Sequence, residues 1–196
     1  MPREIVSVAV EGPTDTEVVS RLFAWLGIGL GTVYGEHGKA YLDGKLGAWN
    51  AAAKFAPWLV VRDLDHDADC APTLVAKLLP APSPFMCFRV PVRTVDAWLL
   101  ADRERLASFL VVPVTAVPDD PDSLSDPKRE IVNLARTSKR REVRDDLVPH
   151  LGMTAKVGPA FGARMIEFAR KHWRPSVAVH SSKSLSRAVA ALTPWR

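Results

Sequence analysis

Two short apolar runs, each closed by an acid, constrain this chain more than anything else in it. Ile5–Val10 (IVSVAV) is followed at once by Glu11 and Gly12, and PWLVVR is followed by Asp63 about fifty residues later. Runs this short, rich in Val and Ile, read as buried strands. The stretch after Val10 carries Thr14 and Glu17 as a capping box, then Val18, Val19, Leu22, Phe23 and Leu26 on one helical stripe, and Gly27 as a stop. A weak strand is expected around Thr32–Tyr34 and a second helix from about Gly44 to Phe55. The pattern continues with APTLVAKLL as a helix, FMCFRVPV as a strand and TVDAWLLADRERLASFL after it. Strands alternating with helices predict an α/β fold with a mostly parallel sheet flanked by helices.

After Leu110 the texture changes. VVPVTAVPDDPDSLSDP is rich in proline and aspartate and reads as a loop. Asp126 and Pro127 then look like the N-cap and first residue of a basic helix. Residues 1–110 are therefore expected to form the α/β core, and 111–196 a basic, mainly helical extension packed on it as one compact unit. The net charge of +4 is divided unevenly: residues 1–127 carry 11 Lys/Arg against 17 Asp/Glu, whereas 128–196 carry 15 against 5. An acidic front and a basic rear suit a metal-centred site with an electrostatic guide for a polyanion, although basic helices are also common as plain solvated faces.

The opening MPREIVSVAVEG has no extended apolar segment, and no later run approaches the roughly 18 apolar residues a membrane span needs. A cytoplasmic protein without membrane contact is expected. Cys70 and Cys87 are isolated, with no CxxC pair, and read as buried small hydrophobes in a reducing compartment.

Glu11 and Asp63 each stand at the carboxyl end of a strand, where open α/β sheets bind ligands. Neither a cap nor a surface face accounts for an acid there. Asp65 and Asp67 follow at alternating spacing, so an extended segment would point all three aspartates the same way. Carboxylates so arranged persist where a cation neutralises them, and an oxygen-only donor set favours Mg²⁺ or Mn²⁺. Asp15 lies in the first turn of a helix, where an acid gains roughly 0.3–1 kcal/mol from the dipole with or without a chemical role. Asp69 reads as an N-cap, and His66 as an exposed loop residue.

The two stretches VAVEGPTD and LVVRDLDHD resemble the paired motifs of the TOPRIM domain: a hydrophobic strand followed by E-G-x-x-D, and another followed by D-x-D. That domain is shared by topoisomerases, bacterial primases, overcoming-lysogenization-defect nucleases and small RNA-maturing nucleases. Ala68 stands where the second motif usually has glycine, and Asp67 adds an acid. VDAWLLAD, SDPKREI and SSKSLSRAV extend the resemblance, over nearly the whole length, to a group of small prokaryotic TOPRIM-like proteins often encoded beside an AAA-type ATPase. In that pattern the acid at Asp96 is more often glutamate.

The resemblance implies Glu11 as the general acid/base, with Asp15 beside it as a second catalytic acid. It implies Asp63 and Asp65 as Mg²⁺ ligands, joined by Asp67 and by Glu11 itself, and Asp96 and Lys128 as further site residues. Lys39, Arg62, Arg89 and Arg93 are the other basic residues near these motifs. The expected activity is metal-dependent hydrolysis of DNA or RNA, in defence against mobile elements or in RNA processing. The alternative is a non-catalytic subunit that docks nucleic acid or an ATPase and keeps the metal site. Only Tyr34 and Tyr41 are available as a topoisomerase nucleophile and no strand-passage domain is present, so topoisomerase is set aside. No P-loop occurs, so nucleotide binding by this chain is not expected. Monomer and homodimer both remain open.

Overall fold

The computed structural model describes residues 4–196. Four strands form one parallel sheet: β1 (Ile5–Val10), β2 (Gly29–Gly35), β3 (Trp58–Val61) and β4 (Met86–Arg89), in the order β2-β1-β3-β4. Helices α1 (Pro13–Leu26), α2 (Lys39–Ala52) and α3 (Ala71–Leu78) make the crossovers. Because β2 lies on one side of β1 and β3 on the other, the chain reverses its direction of travel across the sheet between β1 and β3. Such a switch point leaves a crevice at the carboxyl ends of the two strands, where side chains of both can meet.

Alternation along the strands divides the core. Val6, Val8 and Val10 of β1, with Leu59 and Val61 of β3, face α1 and the carboxy-terminal helices. Ala9, Trp58, Val60 and Phe88 face α2 and α3 through Leu42, Leu46, Trp49 and Leu74. Burial on both faces is what a parallel sheet covered by helices requires, and it explains the continuous apolar run of β3.

The remaining helices are α4 (Asp96–Leu100), α5 (Arg103–Leu110), α6 (Pro127–Arg136), α7 (Arg141–Leu147), α8 (Phe161–Lys171), α9 (Pro175–Ala178) and α10 (Lys183–Leu192). Residues on both sides of Leu110 share one hydrophobic cluster, from Val6 through Trp98 and Phe168 to Leu192. Trp98 and Trp173, both fully buried, are linked by a hydrogen bond from Trp173 Nε1 to the Trp98 carbonyl, 3.0 Å. Ser184 Oγ accepts from Trp98 Nε1 at 3.1 Å and from the Val92 amide at 3.2 Å, tying α10 to the end of β4. Ser182 caps α10 by accepting from the Leu185 amide at 3.0 Å, and its hydroxyl donates to Asp122 Oδ1 at 2.8 Å. The serines near the carboxy terminus therefore fasten the fold.

Several local expectations are corrected. The cap of α1 is Gly12, not Thr14: Asp15 Oδ2 accepts from the Gly12 amide at 2.9 Å, while Glu17 pairs with Arg170. Helix α2 begins five residues earlier than expected, because burial of Leu42 beneath the sheet outweighs the weak propensity around Gly44. TVDAWLLADRERLASFL breaks at Asp102, whose fully buried carboxylate caps α5 and takes Arg174 at 2.6 Å. Cys70, not Asp69, is the N-cap residue of α3 and is exposed; Cys87 is buried, and burial pushes its thiol up to about 11. Among the described residues no helix is long and apolar enough to cross a membrane.

Candidate functional site

The crevice at the switch point is built by loops that hold one another. At the end of β2, Gly35 has φ +101°, and a side chain there would collide with the Val10 carbonyl oxygen. This close approach lets the Glu36 amide reach the Val10 carbonyl at 3.0 Å and the Gly38 amide reach the Glu11 carbonyl at 3.0 Å. The Glu11 backbone is thereby fixed from one side. From the other, Glu11 Oε1 accepts from the Asp63 amide at 2.8 Å, which joins the first residue after β1 to the loop after β3.

The loop after β3 does not continue as an extended segment. Asp65 sits at φ +47° and Arg93, opposite it, at φ +60°. The Asp65 amide donates to the Arg93 carbonyl at 2.8 Å, and the Arg93 guanidinium donates to the Asp65 carbonyl at 2.7 Å. Two non-glycine residues in the left-handed region, locked to each other, are the kind of strain that persists where surrounding contacts over-determine it. This turn separates the three aspartates that alternation would have aligned. Asp63 Oδ1 accepts from the Val95 amide at 3.0 Å, at the start of α4. Asp65 and Asp67 instead meet Lys39 Nζ at 2.9 and 3.0 Å, and Asp67 also meets Arg62 at 2.6 Å. Asp67 is thus held between two cations instead of lying beside Asp63 as a third metal-facing acid.

Arg62 is buried and organises this rim. Its guanidinium contacts Asp43 at 3.1 Å as well as Asp67, and its Nε lies 3.9 Å from Glu11 Oε1. Asp43 was not visible as a site residue, since a single acid inside α2 has no motif around it.

Behind the rim lie Asp15, Asp63 and Asp96 with Glu11. Asp15 and Asp96 are buried, and Asp96 Oδ2 accepts from Thr94 Oγ1 at 3.1 Å. Burial raises Asp15 to about 7, with the charges of Asp96 and Glu11 adding to it against the Gly12 hydrogen bond. Burial also raises Asp63 well above its ordinary value, followed by repulsion from Asp15, Glu11 and Asp96. Burial raises Glu11, with Asp65 adding, against the Asp63 amide and Arg62. Asp96 is raised by its burial despite Lys128, whose Nζ lies 3.9 Å away. Lys128 itself is raised, first by Asp96 and then by Asp63, Asp15 and Asp65.

The sequence-predicted residues therefore divide. Glu11, Asp15, Asp63, Asp96 and Lys128 come together from β1, α1, the loop after β3, α4 and α6. Asp65 borders the group and Asp67 stands outside it. Among the described residues no three His, Cys, Asp or Glu side chains already form a metal-holding cluster. The donor chemistry nevertheless fits a hard cation: only carboxylates converge, they repel one another, and Mg²⁺ is ordinarily held through one or two carboxylates with water completing its shell. No family model, curated protein or solved structure matches this chain.

Proposed function

We propose that this protein is a TOPRIM-type phosphodiesterase that hydrolyses DNA or RNA with Mg²⁺ or Mn²⁺. The observation that carries the proposal is the convergence of Glu11, Asp15, Asp63 and Asp96 on a strand-order switch point, with Lys128 3.9 Å from Asp96 and Arg62 3.9 Å from Glu11. Asp63 and Asp96 would hold the ion, with Asp65 at its edge. When bound there, the ion would polarise a phosphate and offset the charge developing on it. Glu11, raised from its ordinary value by burial and fixed by the Asp63 amide, would take the proton of the attacking water. Asp15 would carry a proton near neutral pH and relieve the crowding of charge. Lys128 would face a non-bridging oxygen of the phosphate.

Supercoiled plasmid, single-stranded DNA and total RNA, each with Mg²⁺, Mn²⁺ or EDTA, test this directly. Products should require the metal, and Glu11→Gln should lower the rate by at least about 100-fold, the scale of lost general acid–base catalysis, since glutamine can still accept from the Asp63 amide. Asp63→Asn with Asp65→Asn should lose metal binding as well as cleavage. Wild-type rates in Glu11→Gln would sink the assignment.

One observation favours the non-catalytic alternative, a nucleic-acid- or ATPase-binding subunit. Lys39 and Arg62 already neutralise Asp65 and Asp67, so part of the second motif is closed by the chain's own cations. On that reading no substrate in the panel is cut with either metal, while nucleic-acid binding remains.

A further inference from the structure

A second concave feature adjoins the acids. Between α6 and the segment 149–157 lies an open cleft of about 510 Å³. Lys128, Arg129, Arg136 and Lys156 line it, and Asp126 is its one acidic residue. The Asp126 carboxylate is already engaged, capping α6 through the Arg129 amide at 2.9 Å. Among the described residues none of the Arg129, Arg136 and Lys156 side chains has a carboxylate partner, and all three are exposed. The cleft therefore carries a strong unbalanced positive charge, suited to a polyanion.

Its charge is not its only feature. Leu151 is wholly exposed and Met153 is 65% exposed, and both line the same cleft as the cations. A duplex offers a protein surface mainly phosphates and sugars, with its base faces stacked inside. An unpaired strand offers base faces as well, which cover apolar side chains while its phosphates meet cations. At the inner end stands Lys128, which also faces Asp96 at 3.9 Å, so the cleft and the carboxylates share a residue.

We infer that this cleft receives an unpaired stretch of nucleic acid. Arg129, Arg136 and Lys156 meet its phosphates, Leu151 and Met153 pack on its bases, and the strand passes Lys128 to the acids. The last step rests on the phosphodiesterase reading; the binding does not.

The test uses the whole protein in EDTA, so that nothing is cut. Fluorescence anisotropy follows labelled oligothymidylate and oligouridylate, each of about a dozen nucleotides, and a duplex of the same length, across a range of salt. At least one single strand should bind about ten-fold or more tightly than the duplex. Arg129→Glu, Arg136→Glu and Lys156→Glu together should weaken it at least about ten-fold and flatten the log–log salt slope by about 2, roughly 0.7 per lost phosphate contact. Leu151→Ala with Met153→Ala should bring single-strand and duplex affinities together while leaving the salt slope unchanged. All five side chains are exposed; if charge reversal disturbs folding, the corresponding glutamine substitutions carry the same test with a smaller loss. Equal affinity for the duplex, wild-type affinity in the triple variant, or no binding of any strand would overturn the inference. Single-strand binding that behaves as expected, with no cleavage under Mg²⁺ or Mn²⁺, would leave the cleft in place and remove the phosphodiesterase reading instead.

Discussion

At Asp15, burial and two neighbouring negative charges hold a proton that an ordinary aspartate would have lost by pH 5. The consequence for stability follows from the sign of that shift. Below about pH 3 both folded and unfolded chains carry the proton, and the group contributes nothing to the pH dependence. As pH rises toward 7 the unfolded chain releases the proton first, so the folded state is progressively disfavoured, and the full penalty remains above 7. Asp15→Asn keeps an acceptor for the Gly12 amide and removes the charge. In metal-free buffer the variant should match the wild type near pH 3 and exceed it by a few kcal/mol at pH 8, each pKa unit being worth about 1.4 kcal/mol. Urea unfolding at both pH values checks this; an unchanged difference between variant and wild type would refute it. The position of Asp15 was legible as a first-turn acid, but its partners were not, because Asp96 is far away in sequence and meets it only through the folded sheet.

Among the elements, α5 ends in a way that chemistry disfavours. Val111 occupies the left-handed region at φ +56°, a conformation costly for a β-branched residue. Val111→Gly should stabilise the protein by about 1 kcal/mol, relief of strain exceeding the added chain entropy, and a rise in Tm would register it. The strands were readable because each is a short apolar run with the right residues, and Glu11 and Asp63 were readable because an acid directly after such a run is hard to explain otherwise. What the local pattern missed was direction. Alternation placed Asp63, Asp65 and Asp67 on one side, whereas the turn at Asp65 depends on Arg93, which lies at the end of a different strand. The start of α2 was missed for a related reason, since glycines at 44 and 47 weaken the local signal while burial of Leu42, Leu46 and Trp49 decides the outcome.

Across the whole molecule, buried polar links join segments distant in sequence. Asp102 has no solvent exposure and receives the Arg174 guanidinium and the Arg174 amide, the latter at 2.8 Å. Arg174→Met leaves that carboxylate buried without its counter-charge and should cost about 3 kcal/mol. A drop in the urea midpoint would measure it. The motif AWLLAD thus owes its final acid to packing, a role no spacing could disclose because Arg174 lies 72 residues on. A different consequence lies in where the acids and Lys128 fall along the chain. They occur at positions 11, 15, 63, 96 and 128, and the cation arrives last. During synthesis at about 5–20 residues per second, the growing chain therefore spends several seconds with its carboxylates made but without the lysine that faces them. On the phosphodiesterase reading, the centre is complete only once α6 has left the ribosome and packed beside α4, so the order of translation would set the earliest moment at which it could act.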